Sequence, residues 1–131
     1  FFIDKLLITK GQIINISSIH TKLTKKNFSA YAASKSAMDS LTRSLAIEFG
    51  SILKVNGIRP AAIYTDMLLS GFNNDKDKID ELAKYHPSKI IGKTKTIAEI
   101  AYVLTKNDDL FLNGSIVDID GGISYVLHDP D

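Results

Sequence analysis

Apolar and polar positions along the chain fall into blocks, and the period within each block sets the element expected there. Gln12–Ser18 is a short β-branched run with Ile13, Ile14 and Ile16 apolar on both faces. A strand apolar on both sides suits a parallel sheet covered above and below. Residues 19–28 are polar and lysine-rich and form a loop. From Ser29 to about Phe49 the period lengthens, with Ala33, Ala37, Leu41 and Leu45 recurring every four residues as the apolar stripe of a helix. Gly50 supplies the stop. Leu53–Ile58 is a second strand, closed by Pro60, and a helix is expected over Asp75–Tyr85 with its end at Pro87. Thr96 and Glu99 have the spacing of a capping box for a helix running to about Lys106. Asn107–Asn113 reads as a loop, Ser115–Ile119 as a third strand and Gly121–Gly122 as a turn.

Strand, helix, strand, helix, strand in that order predicts an α/β fold with parallel strands joined by right-handed crossovers. Three strands leave the edge at Gln12–Ser18 open to unwanted pairing. The chain also opens on apolar residues without an initiator Met. Further strands ahead of Phe1 are therefore expected, and residues 1–131 read as one incomplete domain.

Composition narrows the class. At 131 residues and 44% hydrophobic the chain suits one globular domain. Sixteen Lys/Arg against fifteen Asp/Glu leave a net charge of +1, without the basic footprint of a nucleic-acid partner. Lys22, Lys25 and Lys26 form the densest cluster and read as a solvated loop. No apolar run approaches the roughly 20 residues of a membrane span, so no membrane partner is expected, and no signal peptide is recognisable. The absence of cysteine excludes disulfides and zinc-thiolate sites. His20, His86 and His128 are far apart and show no metal-ligand spacing, so no metal site is expected. This composition fits a reducing cytoplasm.

Candidate chemistry gathers around the long helix. Tyr31 and Lys35 stand four residues apart and share a face. An ammonium beside a phenol favours the phenolate and is expected to lower the Tyr31 pKa from its usual ~10. Such a tyrosine works as a general acid or base. Ser18 ends the first strand, at the carboxyl end of a parallel sheet where ligands bind. Tyr-x-x-x-Lys alone arises by chance in roughly a quarter of chains this long. A serine thirteen residues upstream at a strand end brings that to about 2%.

GQIINISS, YAASKSAMDSLTRSLAIEFG, VNGIRPAAIYTDM and NGSIVDIDGG, in that order and spacing, resemble four successive blocks of the short-chain dehydrogenase/reductase superfamily. The match is to its non-extended branch, which includes 3-oxoacyl-carrier-protein reductases. The resemblance runs from Gly11 to about Gly122 and implies the C-terminal half of a Rossmann-type doubly wound parallel sheet. It also implies an NAD- or NADP-dependent oxidoreductase acting on a small alcohol or carbonyl, assembled as a homo-oligomer, a dimer or tetramer. Ser18 would hydrogen-bond the substrate oxygen, Tyr31 would transfer the proton, and Lys35 would hold the nicotinamide ribose hydroxyls. Ile16 would approach that ribose through its backbone. Pro60, Ala61, Ile63 and Thr65 match the segment that cradles the nicotinamide, and residues 66–95 the substrate cover.

Two departures from the family pattern stand out. Ala61 replaces the usual glycine after proline and is expected to shift the loop slightly, since glycine tolerates positive φ where alanine resists it. No Gly-rich turn opens a helix in these residues, so they lack the usual pyrophosphate site and are expected by themselves to bind a dinucleotide poorly. A second reading is a catalytically silent protein whose long helix docks onto full-length subunits. Taken singly, Thr65 can also be a turn residue beside Asp66, His86 a surface-loop histidine, and Asp118 and Asp120 a strand end and turn rather than a metal pair.

Overall fold

Strand β2 (Lys54–Pro60) is buried at every position because it runs between two parallel neighbours. In the computed structural model, residues 2–106, 109–127 and 129 are described; the expected loop start at Asn107 and His128 lie outside them. The sheet order is β1-β2-β5, with β1 at Gln12–Ile16 and β5 at Ile116–Ile119, all parallel. Ile13 pairs with Val55 and Ile16 with Ile58; Arg59 pairs with Asp118 and Pro60 with Ile119. The three expected strands and their parallel order are thus present, each within two residues of its expected bounds.

Helices cover both faces. Asn15 donates its side-chain amide to Thr42 Oγ1 at 2.9 Å, on helix α2 (Ser29–Phe49). Gln12 donates to the Thr105 carbonyl at 3.0 Å, on helix α5 (Thr94–Lys106). Residues an odd number apart along a strand point to opposite faces, so α2 and α5 sandwich the sheet. Leu53, Val55, Ile58, Ile79 and Leu104 form the buried apolar core. Helix α1 (Phe2–Thr9) precedes β1, and α3 (Asp66–Gly71) and α4 (Lys76–Tyr85) follow β2. Asp75 caps α4 by accepting from the Lys78 amide at 3.3 Å.

Three local expectations are corrected. The Ala33, Ala37, Leu41 stripe of α2 faces outward, Leu41 being 52% exposed, whereas the helix buries Asp39 and Thr42 instead. Polar partners on β1 and β2 claim that face, and four-residue periodicity cannot tell which of two stripes they select. Helix α5 starts at Thr94, so Thr96 lies inside it and forms no capping box; Glu99 pairs with Lys95 at 3.7 Å. Gly50 does end α2, but with φ of −61° in the right-handed region, not in the left-handed region of a glycine stop. A Cβ there would collide with the Ala46 carbonyl oxygen, so close approach is what requires glycine.

The pattern did not foresee a two-residue parallel pair, β3 (Ile63–Tyr64) with β4 (Gly92–Lys93). It ties the segment after β2 to the start of α5. Asn113 extends the main sheet in place of a strand residue. Its side chain accepts from the Val55 amide at 2.7 Å and donates to the Leu53 carbonyl at 3.0 Å. Gly114, at φ of +73°, then donates its amide to the Val55 carbonyl at 2.8 Å. Asn113→Ala leaves a buried amide and carbonyl unsatisfied. It is expected to cost roughly 2–4 kcal/mol, read as a lower urea midpoint at unchanged slope.

Candidate active site

The residues assigned to the site by the sequence lie at the carboxyl ends of β1 and β2, in the first turns of α2, and, for Ile63 and Thr65, in β3 and at the start of α3. Ser17 donates its amide to the Ile58 carbonyl at 2.8 Å, which fixes the end of β1 against β2. Ser18 follows, 6% exposed, and caps a short 3-10 turn over Ile19–Thr21. Its hydroxyl oxygen accepts from the His20 amide at 3.2 Å. The hydroxyl proton is thereby left for another acceptor.

Lys35 reaches back from α2 and donates from Nζ to the Ile16 carbonyl at 2.9 Å. The same nitrogen lies 5.8 Å from the centre of the Tyr31 ring. Tyr31 is half-exposed and stands within a cluster of rings: the His20 edge is 5.5 Å away, Phe28 is 5.8 Å away, and His20 stacks on Phe28 at 4.7 Å. Burial first, then the Lys25 charge, lowers the His20 pKa and favours the neutral imidazole. Lys25 itself sits 4.3 Å over the Phe28 ring and 5.9 Å from that of Phe72. Ile16, Lys35 and Tyr31 therefore share one ledge at the end of β1, and Ser18 joins it through the His20 turn.

Beyond Pro60, Ala61 donates its amide to the Ile119 carbonyl at 3.1 Å. Ala61 is absent from the residues of positive φ, so replacing glycine imposes no left-handed strain there and the expected obstacle is lifted. Thr65 caps α3, its hydroxyl oxygen accepting from the Leu68 amide at 3.2 Å. The helix-start role leaves its O–H proton free, as at Ser18.

Four charged residues link these ends. Arg59 donates to Asp39 Oδ2 from Nη2 at 2.7 Å and from Nε at 3.2 Å, and to Asp118 Oδ1 from Nη1 at 2.7 Å. Lys22 meets Asp118 Oδ2 at 2.5 Å. Burial pushes the Asp39 carboxyl up, but the Ser17 hydroxyl, the Arg59 guanidinium and the Thr21 hydroxyl outweigh it and hold the pKa below the ordinary value. Burial works against ionisation of Arg59 too, and Asp39 with Asp118 reverses it, raising that pKa. Asp120 is likewise held low: burial opposes ionisation, while Ser124 and the Gly122 amide overcome it. Asp118 and Asp120 are thus engaged separately, one with cations and one in a turn. His86 is 3% exposed and is not a surface residue; its Nδ1 lies 3.1 Å from the Leu82 carbonyl as α4 ends. Sequence reasoning missed Asp39, Arg59, His20 and Phe28. The available signals were an Asp one turn beyond Lys35 and an Arg ending a strand otherwise fit for burial.

A cleft of about 380 Å³ opens between Ala61, Ala62, His86, Ile91 and Ile119, and Ser18, Tyr31 and Lys35 do not line it. The cleft has polar lining of its own, from His86, Ser88, Lys93, Thr96 and Asp120. Lys35 spends one of its three N–H groups on Ile16. Ile16 and Tyr31 are open beside it, at 41% and 38% exposure.

Residues 3–124 match the family described as Enoyl-(Acyl carrier protein) reductase. The chain belongs to the short-chain dehydrogenase/reductase family, and its sheet is the C-terminal part of that family's Rossmann fold. It is 32% identical over 120 residues to levodione reductase of Leifsonia aquatica, covering 87% of this chain and 45% of that protein. It is 31% identical over 116 residues to glucose 1-dehydrogenase of Gluconobacter oxydans, covering 88% and 43%. Among solved structures, a gluconate 5-dehydrogenase from Burkholderia cenocepacia with NADP and tartrate superposes with a TM-score of 0.85. It is 26% identical, across 95% of this chain and 49% of that one. The chain spans about half the length of the curated relatives it matches.

Acid should expose the ion network. A carboxyl whose folded pKa is depressed stabilises the fold fully above its unfolded value, about 4, and loses that contribution as pH falls through the folded value. Asp39→Asn is therefore expected to be less stable than the parent at neutral pH and to lose less on acidification. The two curves of urea midpoint against pH converge at the acid end; parallel curves would contradict the assignment.

Proposed function

We propose that the protein is an NAD- or NADP-dependent oxidoreductase that interconverts a small alcohol and its carbonyl on the Ser18–Tyr31–Lys35 ledge. The observation that carries this reading is the 2.9 Å bond from Lys35 Nζ to the Ile16 carbonyl, which fixes the ammonium at the end of β1 beside the Tyr31 ring. Relatives that bind NADP or are named dehydrogenases and reductases support it.

A bound nicotinamide supplies the hydride acceptor and donor. Lys35 would hold its ribose hydroxyls with the N–H groups that Ile16 leaves over, and Pro60, Ala61, Ile63 and Thr65 are the residues that would bind the nicotinamide. Ser18, already an acceptor from the His20 amide, donates its proton to the substrate oxygen. Tyr31 delivers a proton to that oxygen as it gains negative charge during reduction, and removes it during oxidation. Residues 66–95 cover the substrate. The protein works as a homo-oligomer in the cytoplasm, and the outward Ala33, Ala37 and Leu41 face of α2 supports association. That same face favours the second reading, a silent subunit that docks through α2.

Tyr31→Phe, made in the whole protein that carries these residues, is expected to lower turnover by about 10²–10⁴-fold. Nucleotide affinity, followed by nicotinamide fluorescence, should stay within about twofold. Lys35→Met is expected to lose both. Turnover unchanged in Tyr31→Phe would remove the proton-transfer role. A parent that shows no nucleotide fluorescence change yet forms dimers by light scattering would favour the docking subunit.

A further inference from the structure

We infer that the buried Asp39–Arg59 pair is a positioning device for the reaction, setting the Ser18 turn and the Lys35 ammonium in register with the Pro60–Thr65 segment. The inference rests on the reading of the ledge given above.

Each partner adjoins a site residue. Asp39 lies one turn beyond Lys35 on the same face of α2. Arg59 immediately precedes Pro60 in β2. Ser17, which immediately precedes Ser18, places its hydroxyl between two acceptors, the Asp39 carboxyl and the Lys35 carbonyl 3.4 Å away. Two bonds from Arg59 to one carboxylate oxygen and a third to Asp118 fix the guanidinium plane in both directions. Lys22 on Asp118 then draws in the far end of the loop that leaves Ser18.

The pair is a poor choice for stability alone. Asp39 is 4% exposed and Arg59 8%, and apolar residues of similar volume commonly replace such a pair at no loss. The hydroxyls of Ser17 and Thr21 also face the Asp39 carboxyl, though neither Asp39 Oδ1 nor Thr21 Oγ1 completes a hydrogen bond of good geometry among the described residues. What the arrangement secures is direction, because a planar fork held on two carboxylates permits one relative placement of α2, β2 and β5. Reactions of this kind are sensitive to placement at the ångström level.

The test uses the whole protein and two variants. Arg59→Lys keeps the cation but loses the fork, and Asp39→Leu with Arg59→Met removes both charges while keeping volume. Both are compared by melting temperature, by NADPH and NADH affinity from fluorescence, and by kcat against KM on a carbonyl substrate, with signals normalised to the folded fraction. The expected result is melting within about 3 °C of the parent for the double variant, with kcat lower by about tenfold and nucleotide affinity weaker by about fivefold. Arg59→Lys should show the same direction and a smaller size. Normalised kcat and affinity both within about twofold of the parent overturn the proposal. If the double variant does not fold, Arg59→Lys alone decides by the same criterion. Tyr31→Phe serves as the control: if it remains active the site reading itself falls, whereas an inactive Tyr31→Phe beside unaffected pair variants removes only the positioning role.

Discussion

One guanidinium joins the parts of this molecule that must stay together. Arg59 spans from a carboxylate on α2 to another on β5 while its own backbone sits in the central strand. In water such an ion pair would contribute little, because solvent screens it and its side chains resist ordering. Here all three residues are shielded, and the cost of dehydrating them is recovered only if the hydrogen bonds meet at good angles. That requirement couples helix to sheet more tightly than interchangeable apolar contacts would, and it does so within one or two residues of Ser18 and Pro60.

The sheet has a second polar constraint at its other end. Asn113 acts as a side-chain surrogate for strand backbone, engaging Val55 and Leu53, and Asn56 returns bonds to Leu112 and Ser115. The central strand is thus secured by amides near its start and by a charge network at its close. Between them lie the fully buried Val55 and Ile58. Apolar burial supplies the drive to fold, and the polar groups at each end set register.

Much of this was legible beforehand, for a physical reason. Strands and helices were read from period, and period reflects geometry: β-branched Ile13, Ile14 and Ile16 marked β1, and the bounds of α2 followed from the polar loop before Ser29 and the glycine after Phe49. Tyr31 and Lys35 were readable because a four-residue spacing on a helix is a statement about space. The inward face of α2 was not. Asp39 and Thr42 are polar, and only the presence of Arg59 and Asn15 across the gap makes their burial favourable. Pairing between distant polar residues leaves no period in a single sequence. The β3–β4 contact escaped for a related reason, since two residues on each side are too few to form a pattern. His86 was misjudged because a lone histidine before Pro87 reads as a loop residue, although the turn closing α4 folds it inward against Leu82.

Ser18 and Thr65 share a habit with a chemical consequence. Each hydroxyl oxygen already receives an amide proton from its own turn, which occupies one of its two lone pairs before any ligand arrives. A hydroxyl so arranged greets an incoming oxygen as a donor and has less to offer an incoming N–H. Both turns thus present hydroxyls predisposed to donate toward electron-rich partners, one following β1 and one opening α3.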